Sequence, residues 1–233
     1  MDKSVYFTPL SLEMLVRSQE DTHTVLPVTE NFSSLSDKEL LYEIYALVKN
    51  GILRPDKDAN GFNFSDEPKA VVKSILSPDK VISVYGAPSS KIIYIYLNNS
   101  SANAIVESVS NRKNIFKAYS ANIRYISSCL SKFVSAELKS KSVKTDEQGG
   151  AGREIGNYRF DISPEQLLKD PDVLLIINCF SGKGLEKIRK LIIYRFDDEF
   201  RIAELKANSE PAAEKLDVNR IFRNLRKLME DTE

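Results

Sequence analysis

The chain has 233 residues, 33 Lys and Arg balanced by 33 Asp and Glu, and a hydrophobic fraction of 42%. Zero net charge excludes the broadly basic surface that displaces counterions from nucleic acid and leaves room only for a local basic patch. The apolar fraction excludes a chain without a core and suits one large domain or two small ones.

The N-terminal stretch "MDKSVYFTPL" has no apolar signal core, and the longest apolar run, Val173 to Phe180, is too short to cross a bilayer. A cytoplasmic protein with no membrane insertion is the expectation. A first helix is predicted from Pro9, with Thr8 as N-cap and Leu12, Leu15 and Val16 on one face. The polar stretch 20–34 reads as a connection. Ser36 and Glu39 then form an S-x-x-E capping box ahead of Leu40, Ile44, Leu47 and Val48 at helical spacing, a stripe widened by Leu41 and Tyr45. Gly51 ends this helix in the left-handed conformation. "ILR" and "FNF" flank a turn-rich tip, and Ser65 caps a third helix that turns Val71, Val72, Ile75 and Leu76 inward before Pro78.

The middle of the chain is β-like. "KVISVY" and "KIIYIYL" are β-branched and aromatic around the hairpin loop "GAPSS", and "AIVESVS" and "NIFKAYS" read as two further strands, although the first is also compatible with a helical turn. A helix follows over 121–138 with Ile123, Ile126, Leu130, Phe133, Val134 and Leu138 inward. Residues 139–156 are nearly devoid of apolar side chains, with "GGAG" near their centre, and are expected to be a flexible linker or loop. Beyond it, "NYRFDIS" alternates like a strand and "PEQLLKD" is a short helix. "PDVLLIINCF" suits a buried strand or a buried helix. "KLIIYRF" and "EFRIAELK" form a hairpin with Asp197 and Asp198 at its tip. Asp217 caps a final helix with Val218, Ile221, Phe222, Leu225, Leu228 and Met229 inward. Its inward offsets nearly match those of the helix at 121–138, pointing to two quasi-repeated halves. The expected organisation is therefore an α+β fold, antiparallel sheet with packed amphipathic helices. Residues 1–138 form an N-terminal half with a winged-helix-like unit, 139–156 a linker and 157–233 a C-terminal half.

Few residues offer chemistry. The single histidine, His23, lies in a polar connection, and Cys129 and Cys179 are fifty residues apart in apolar surroundings. No clustered ligand set for a metal exists, and the cysteines read as small buried hydrophobes. "GKG" at 182–184 lacks the spacing that wraps backbone amides around a phosphate. No catalytic, cofactor-binding or metal-binding residue is assigned, and a non-enzymatic protein without a cofactor is expected. The one charged candidate surface is the outward side of the final helix, Arg220, Arg223, Arg226 and Lys227, which suits an acidic partner; Glu230, Asp231 and Glu233 dilute it.

The stretch "KELLYEIYALVKNGILRPDKDANGFNFSD", Lys38 to Asp66, has the outline of a recognition helix followed by a wing. Its first turn is acidic, through Asp37, Glu39 and Glu43, and its tip balances Arg54 and Lys57 with Asp56 and Asp58. Phosphates repel such a surface, so protein binding is preferred over a winged-helix, DNA-binding transcriptional regulator.

A helix ending "LVKNGIL", an F-x-F strand and a helix ending "SILSPDKVISV" occur in this order, with Leu47, Gly51, Leu76 and Pro78 at the motif positions. Over about the first 120 residues this resembles the EspG-type chaperones of ESX (type VII) secretion. The resemblance implies two quasi-repeated α+β halves and a cytosolic chaperone or adaptor that shields the apolar tip of a helical secretion substrate. It implies neither a cofactor nor chemistry, and it carries no binding residue over to this chain.

Overall fold

The computed structural model describes residues 4–17, 24–27, 36–56, 61–99, 102–109, 115–142, 158–181, 185–197, 199–207, 212–217, 219 and 221–223. Among them the order of elements is β1 (Val5–Phe7), α1 (Pro9–Arg17), α2 (Asp37–Lys49), β2 (Leu53–Pro55), β3 (Phe62–Phe64), α3 (Asp66–Leu76), β4 (Lys80–Gly86), β5 (Ile92–Leu97), β6 (Asn103–Ser108), β7 (Phe116–Ala121), α4 (Ile123–Ser142), α5 (Pro164–Leu167), β8 (Val173–Ser181), β9 (Glu186–Phe196), β10 (Glu199–Leu205) and β11 (Ala212–Lys215). The fold is α+β. Strands are hydrogen-bonded in the orders β1-β7-β6-β5 and β4-β8-β9-β10-β11, and β2 and β3 pair separately as an antiparallel hairpin.

The chain divides into two compact units built from interleaved segments. The first comprises Met1–Val81, Tyr94–Asn122 and Lys183–Leu185; the second comprises Ile82–Ile93, Ile123–Gly182 and Glu186–Glu233.

In the first unit, β7 pairs antiparallel with β6 on one side and β1 on the other. Helix α3 lies against β6 and β7, burying Val71, Val72, Ile75 and Leu76 as their spacing predicts. The polar connection is tied down where it is described. The hydroxyls of Tyr94 and Tyr96 donate to the carbonyls of Pro27 and Val25, at 3.3 and 2.8 Å, and Thr24 donates to the Ile75 carbonyl at 2.5 Å. Buried tyrosines thus find partners for their polar ends in a segment without regular structure.

In the second unit, β8, β9, β10 and β11 run antiparallel in that order. The ambiguous run 173–180 is a strand, buried from Val173 to Cys179. Helix α4 packs against β8 through a stripe that includes Ile126, Leu130 and Val134, while Ile123 at its start is 38% exposed. The β9–β10 hairpin closes between Phe196 and Glu199, with Asp197 in the left-handed region at φ 48°. Asp198, the other acid of the expected tip, lies outside the described residues.

Several expectations change. Residues 158–163 form no strand. Lysine side chains from β9 occupy their carbonyls instead, and Ser163 then opens α5 with a capping box closed by Gln166. Strands β1 and β11 were not anticipated; both are short edge strands formed by pairing with a neighbour. Residues 139–142, the start of the expected linker, complete α4, and 143–156 lie outside the described residues. Among the described residues no helix is long and apolar enough to cross a membrane.

Candidate protein interface

Helix α2 begins as its sequence dictates. The Ser36 side chain accepts the Glu39 N–H, and the Glu39 carboxylate accepts the Ser36 N–H at 2.8 Å, completing the capping box. The Ser36 N–H first, and then the Ser36 hydroxyl, which donates to the same carboxylate at 2.7 Å, hold the Glu39 carboxyl below the usual carboxylate range. The helix ends through Asn50, whose N–H bonds the Ala46 carbonyl at 2.9 Å, and Gly51 at φ 68°. A side chain at Gly51 would be strained in that conformation. The chain then enters the β2–β3 hairpin, where Arg54 pairs with Asp66 at 3.2 Å and Asn63 donates to Asp56 at 2.8 Å. Helix and the two paired strands follow one another as expected, and the tip at 57–60 lies outside the described residues.

The orientation of α2 is the unexpected feature. Leu47 is the one α2 residue that is fully buried, and Leu40, Ile44 and Val48 are half-buried beside it. Leu41 and Tyr45, expected to widen this stripe, are each 65% exposed, as is Tyr42. The reason is geometric. At 100° per residue a helix buries one face against one neighbour, and apolar positions spread this far around the circumference cannot all turn inward. Lys38, Leu41, Tyr42, Tyr45 and Lys49 fall in one sector about 100° wide, and all five are exposed.

The charges around this stripe are sorted. The Lys38 ammonium lies 6.0 Å from the centre of the Tyr42 ring, at the outer limit of a cation–π contact. Glu39 is turned back into the cap. Glu43 faces α1, where the Thr8 hydroxyl lies 3.0 Å from its Oε2 and the Ser11 hydroxyl donates to the same oxygen. Asp37 projects from a different sector. The exposed stripe is therefore apolar and aromatic in the middle and cationic at both ends.

Among the described residues eight large hydrophobics are exposed, and α2 alone contributes three on one face. Scattered exposed hydrophobics are normal on a soluble protein, whereas a contiguous group marks a contact surface. The signal was present in the sequence: eight of the thirteen α2 residues are apolar or aromatic, more than one buried face holds.

The basic candidates on the final helix are only partly described. Asp217 opens that helix, accepting the Asn219 N–H on its side chain at 2.9 Å and the Ile221 N–H on its carbonyl at 3.0 Å, and Ile221 is buried. Arg223 is exposed with its guanidinium 3.7 Å from the Asp217 carboxylate. Arg220, Arg226 and Lys227 lie outside the described residues, as do His23, Lys183 and Gly184.

A second polar cluster lies in the other unit. The Lys187 ammonium donates to the Phe160 carbonyl at 2.7 Å; that of Lys190, fully buried, donates to the carbonyls of Ile162 and Arg159. Burial first, and then the neighbouring Lys187 charge, push Lys190 down to about 8, with Asp161 opposing. Tyr158 donates to Asp170 at 3.3 Å and packs edge-on against Tyr194, and burial keeps its phenol protonated well above the usual range. This arrangement fastens residues 158–163 to β9. Sequence reading missed it because it treats a strand lysine as solvated. Neither Cys129, half-buried, nor Cys179, buried, is in a disulfide. Among the described residues no group of three or more His, Cys, Asp or Glu is placed to hold a metal.

No protein-family profile matches the chain, and no curated protein is significantly similar to it.

Proposed function

We propose that the protein is a non-enzymatic protein-binding module, and that it acts as a cytoplasmic chaperone or adaptor for a helical partner. The observation that carries the reading is the exposed group Leu41, Tyr42 and Tyr45 on one face of α2. Tyrosine gives large contact area for little lost rotamer freedom and is enriched in the cores of protein interfaces. The resemblance to EspG-type chaperones of ESX secretion supports the finer part of the proposal, a secretion substrate whose apolar helical tip needs cover until export.

Affinity purification from the source organism tests this. The wild-type chain is compared with Leu41→Ser/Tyr42→Ser/Tyr45→Ser after circular dichroism has shown that both are folded. Stoichiometric recovery of one protein by the wild type, lost in the variant, is the expected result. Recovery of a discrete DNA site would restore the winged-helix regulator. A protein partner retained by the triple variant would move the interface elsewhere, first to the final helix around Arg223.

A further inference from the structure

Resting on the protein-binding reading above, we infer that the exposed face of α2 receives an amphipathic helix of another protein whose apolar face is bracketed at both ends by carboxylates. Lys38 and Lys49 lie at opposite ends of the stripe, eleven residues apart, or about 16 Å along the helix axis. Leu41, Tyr42 and Tyr45 stand between them, each 65% exposed. The strip is straight, one helix wide and about three turns long, and its side chains are spaced as ridges between which a second helix packs. The acids of α2 do not neutralise its ends. Glu43 is turned to Thr8 and Ser11, Glu39 is held in the cap with Ser36, and Asp37 points out of the sector. A partner helix therefore meets apolar and aromatic side chains along its middle and an ammonium ion at each end.

Charge also selects against the other occupants. A second copy of the chain pairing through this strip would bring Lys38 against Lys49 in the antiparallel arrangement, and like residues together in the parallel one. A single-stranded nucleic acid would find two stacking rings, but also Leu41, which offers no flat face for a base. A carboxylate-bracketed helix satisfies the ends and the middle together.

The test uses two synthetic helical peptides that share one apolar face. One carries Glu at bracketing positions eleven residues apart; the other carries Lys there. Both are titrated by fluorescence anisotropy into the full chain and into Lys38→Glu/Lys49→Glu, at low and at high salt, with labelled oligo-dT in a third arm. Two surface charge pairs predict that the wild type prefers the Glu-bracketed peptide by roughly tenfold at low salt. The preference shrinks as salt rises and reverses in the double variant. Equal affinity for the two peptides, or no binding of either, overturns the inference. Tight oligo-dT binding abolished by Lys38→Glu/Lys49→Glu assigns the face to nucleic acid instead. If the peptides fail while a protein partner still co-purifies through Tyr42 and Tyr45, the carboxylate bracket is wrong and the protein-binding reading stands. If co-purification fails as well, both fall.

Discussion

The carboxylate of Glu137 lies on the bare Cα of Gly86: a Cβ there would come within 2.6 Å of Glu137 Cδ and 2.8 Å of both carboxylate oxygens. Glu137 projects from α4, is 3% exposed and accepts the Ser89 N–H at 3.3 Å, so its carboxylate holds the turn after β4. A Cβ at 86 would thus force the Glu137 carboxylate to move. Gly86→Ala should destabilise the protein by about 1–2 kcal/mol, because the displaced carboxylate has to leave its backbone partner. In a Glu137→Ala background the same substitution should cost less than about 0.5 kcal/mol. A double-mutant cycle by chemical denaturation reads the difference. Equal costs in the two backgrounds would show that Gly86 is needed for some other reason.

The two faces of α2 should respond oppositely to truncation. Leu47, 2% exposed, should lose about 2–4 kcal/mol of stability on replacement by Ala. Tyr42→Ser and Tyr45→Ser, on the exposed face, should each change stability by less than about 0.5 kcal/mol. Urea titration of the three variants checks this. A large loss at Tyr45 would place its ring in the core and remove it from any interface.

This contrast also shows what was legible in the sequence. The boundaries of α2 read correctly because their determinants are local: Ser36 with Glu39 and Gly51 each act within one turn of chain, whereas α4 runs on to Ser142, past its expected end at 138. The β4–β5 and β9–β10 hairpins read correctly because β-branched runs flank obvious turns. Elements that depend on a partner did not. Strand β11 has the weak strand composition "AAEK" and exists through its register with β10, Arg201 to Lys215 and Glu204 to Ala212. Residues 158–163 alternate like a strand, yet their carbonyls are occupied by lysines 27 to 31 residues away. The choice of which apolar α2 residues face inward is equally non-local, so Leu41 and Tyr45 read from the sequence as part of the buried stripe although each is 65% exposed. Of the four residues of the basic surface expected on the final helix, only Arg223 is among the described residues.

Lys190 makes stability depend on pH with a definite sign. Its amine has a folded value of about 8 against an ordinary value of 10.5, because burial disfavours the charged form. Between those values the unfolded chain binds more protons than the folded one, so this group favours folding increasingly as pH rises from 8 towards 10.5. Relative to Lys190→Met, the wild type should gain about 2 kcal/mol between pH 7 and 9.5. Lys187, lowered chiefly by burial, adds in the same direction. Measurements must stop near pH 9.5. The raised phenols of Tyr158 and Tyr194 stabilise the fold below pH 10, and that contribution is lost as pH rises further. Parallel stability curves for wild type and Lys190→Met would mean that the ammonium is not desolvated as the fold implies.

Asn178 is the one polar residue in the run Val173 to Phe180, and it is 3% exposed. Its amide donates to the Ser83 hydroxyl at 3.3 Å, and Ser83 is fully buried; among the described residues its Oδ1 has no partner. An unsatisfied buried carbonyl costs free energy, but a polar pair between adjacent strands fixes register where an apolar run could slip by one residue. Removing one member should therefore be worse than removing both. Ser83→Ala, which leaves the Asn178 amide without its acceptor, should destabilise by about 1–3 kcal/mol. Adding Asn178→Leu should restore wild-type stability or exceed it by about 1 kcal/mol, since apolar groups then fill the same space. Thermal and urea unfolding of the two variants give the comparison. Should the double variant prove no more stable than Ser83→Ala alone, Asn178 makes a contribution beyond this pair, and its opposition to Lys190 across the β8–β9 register becomes the next contact to vary.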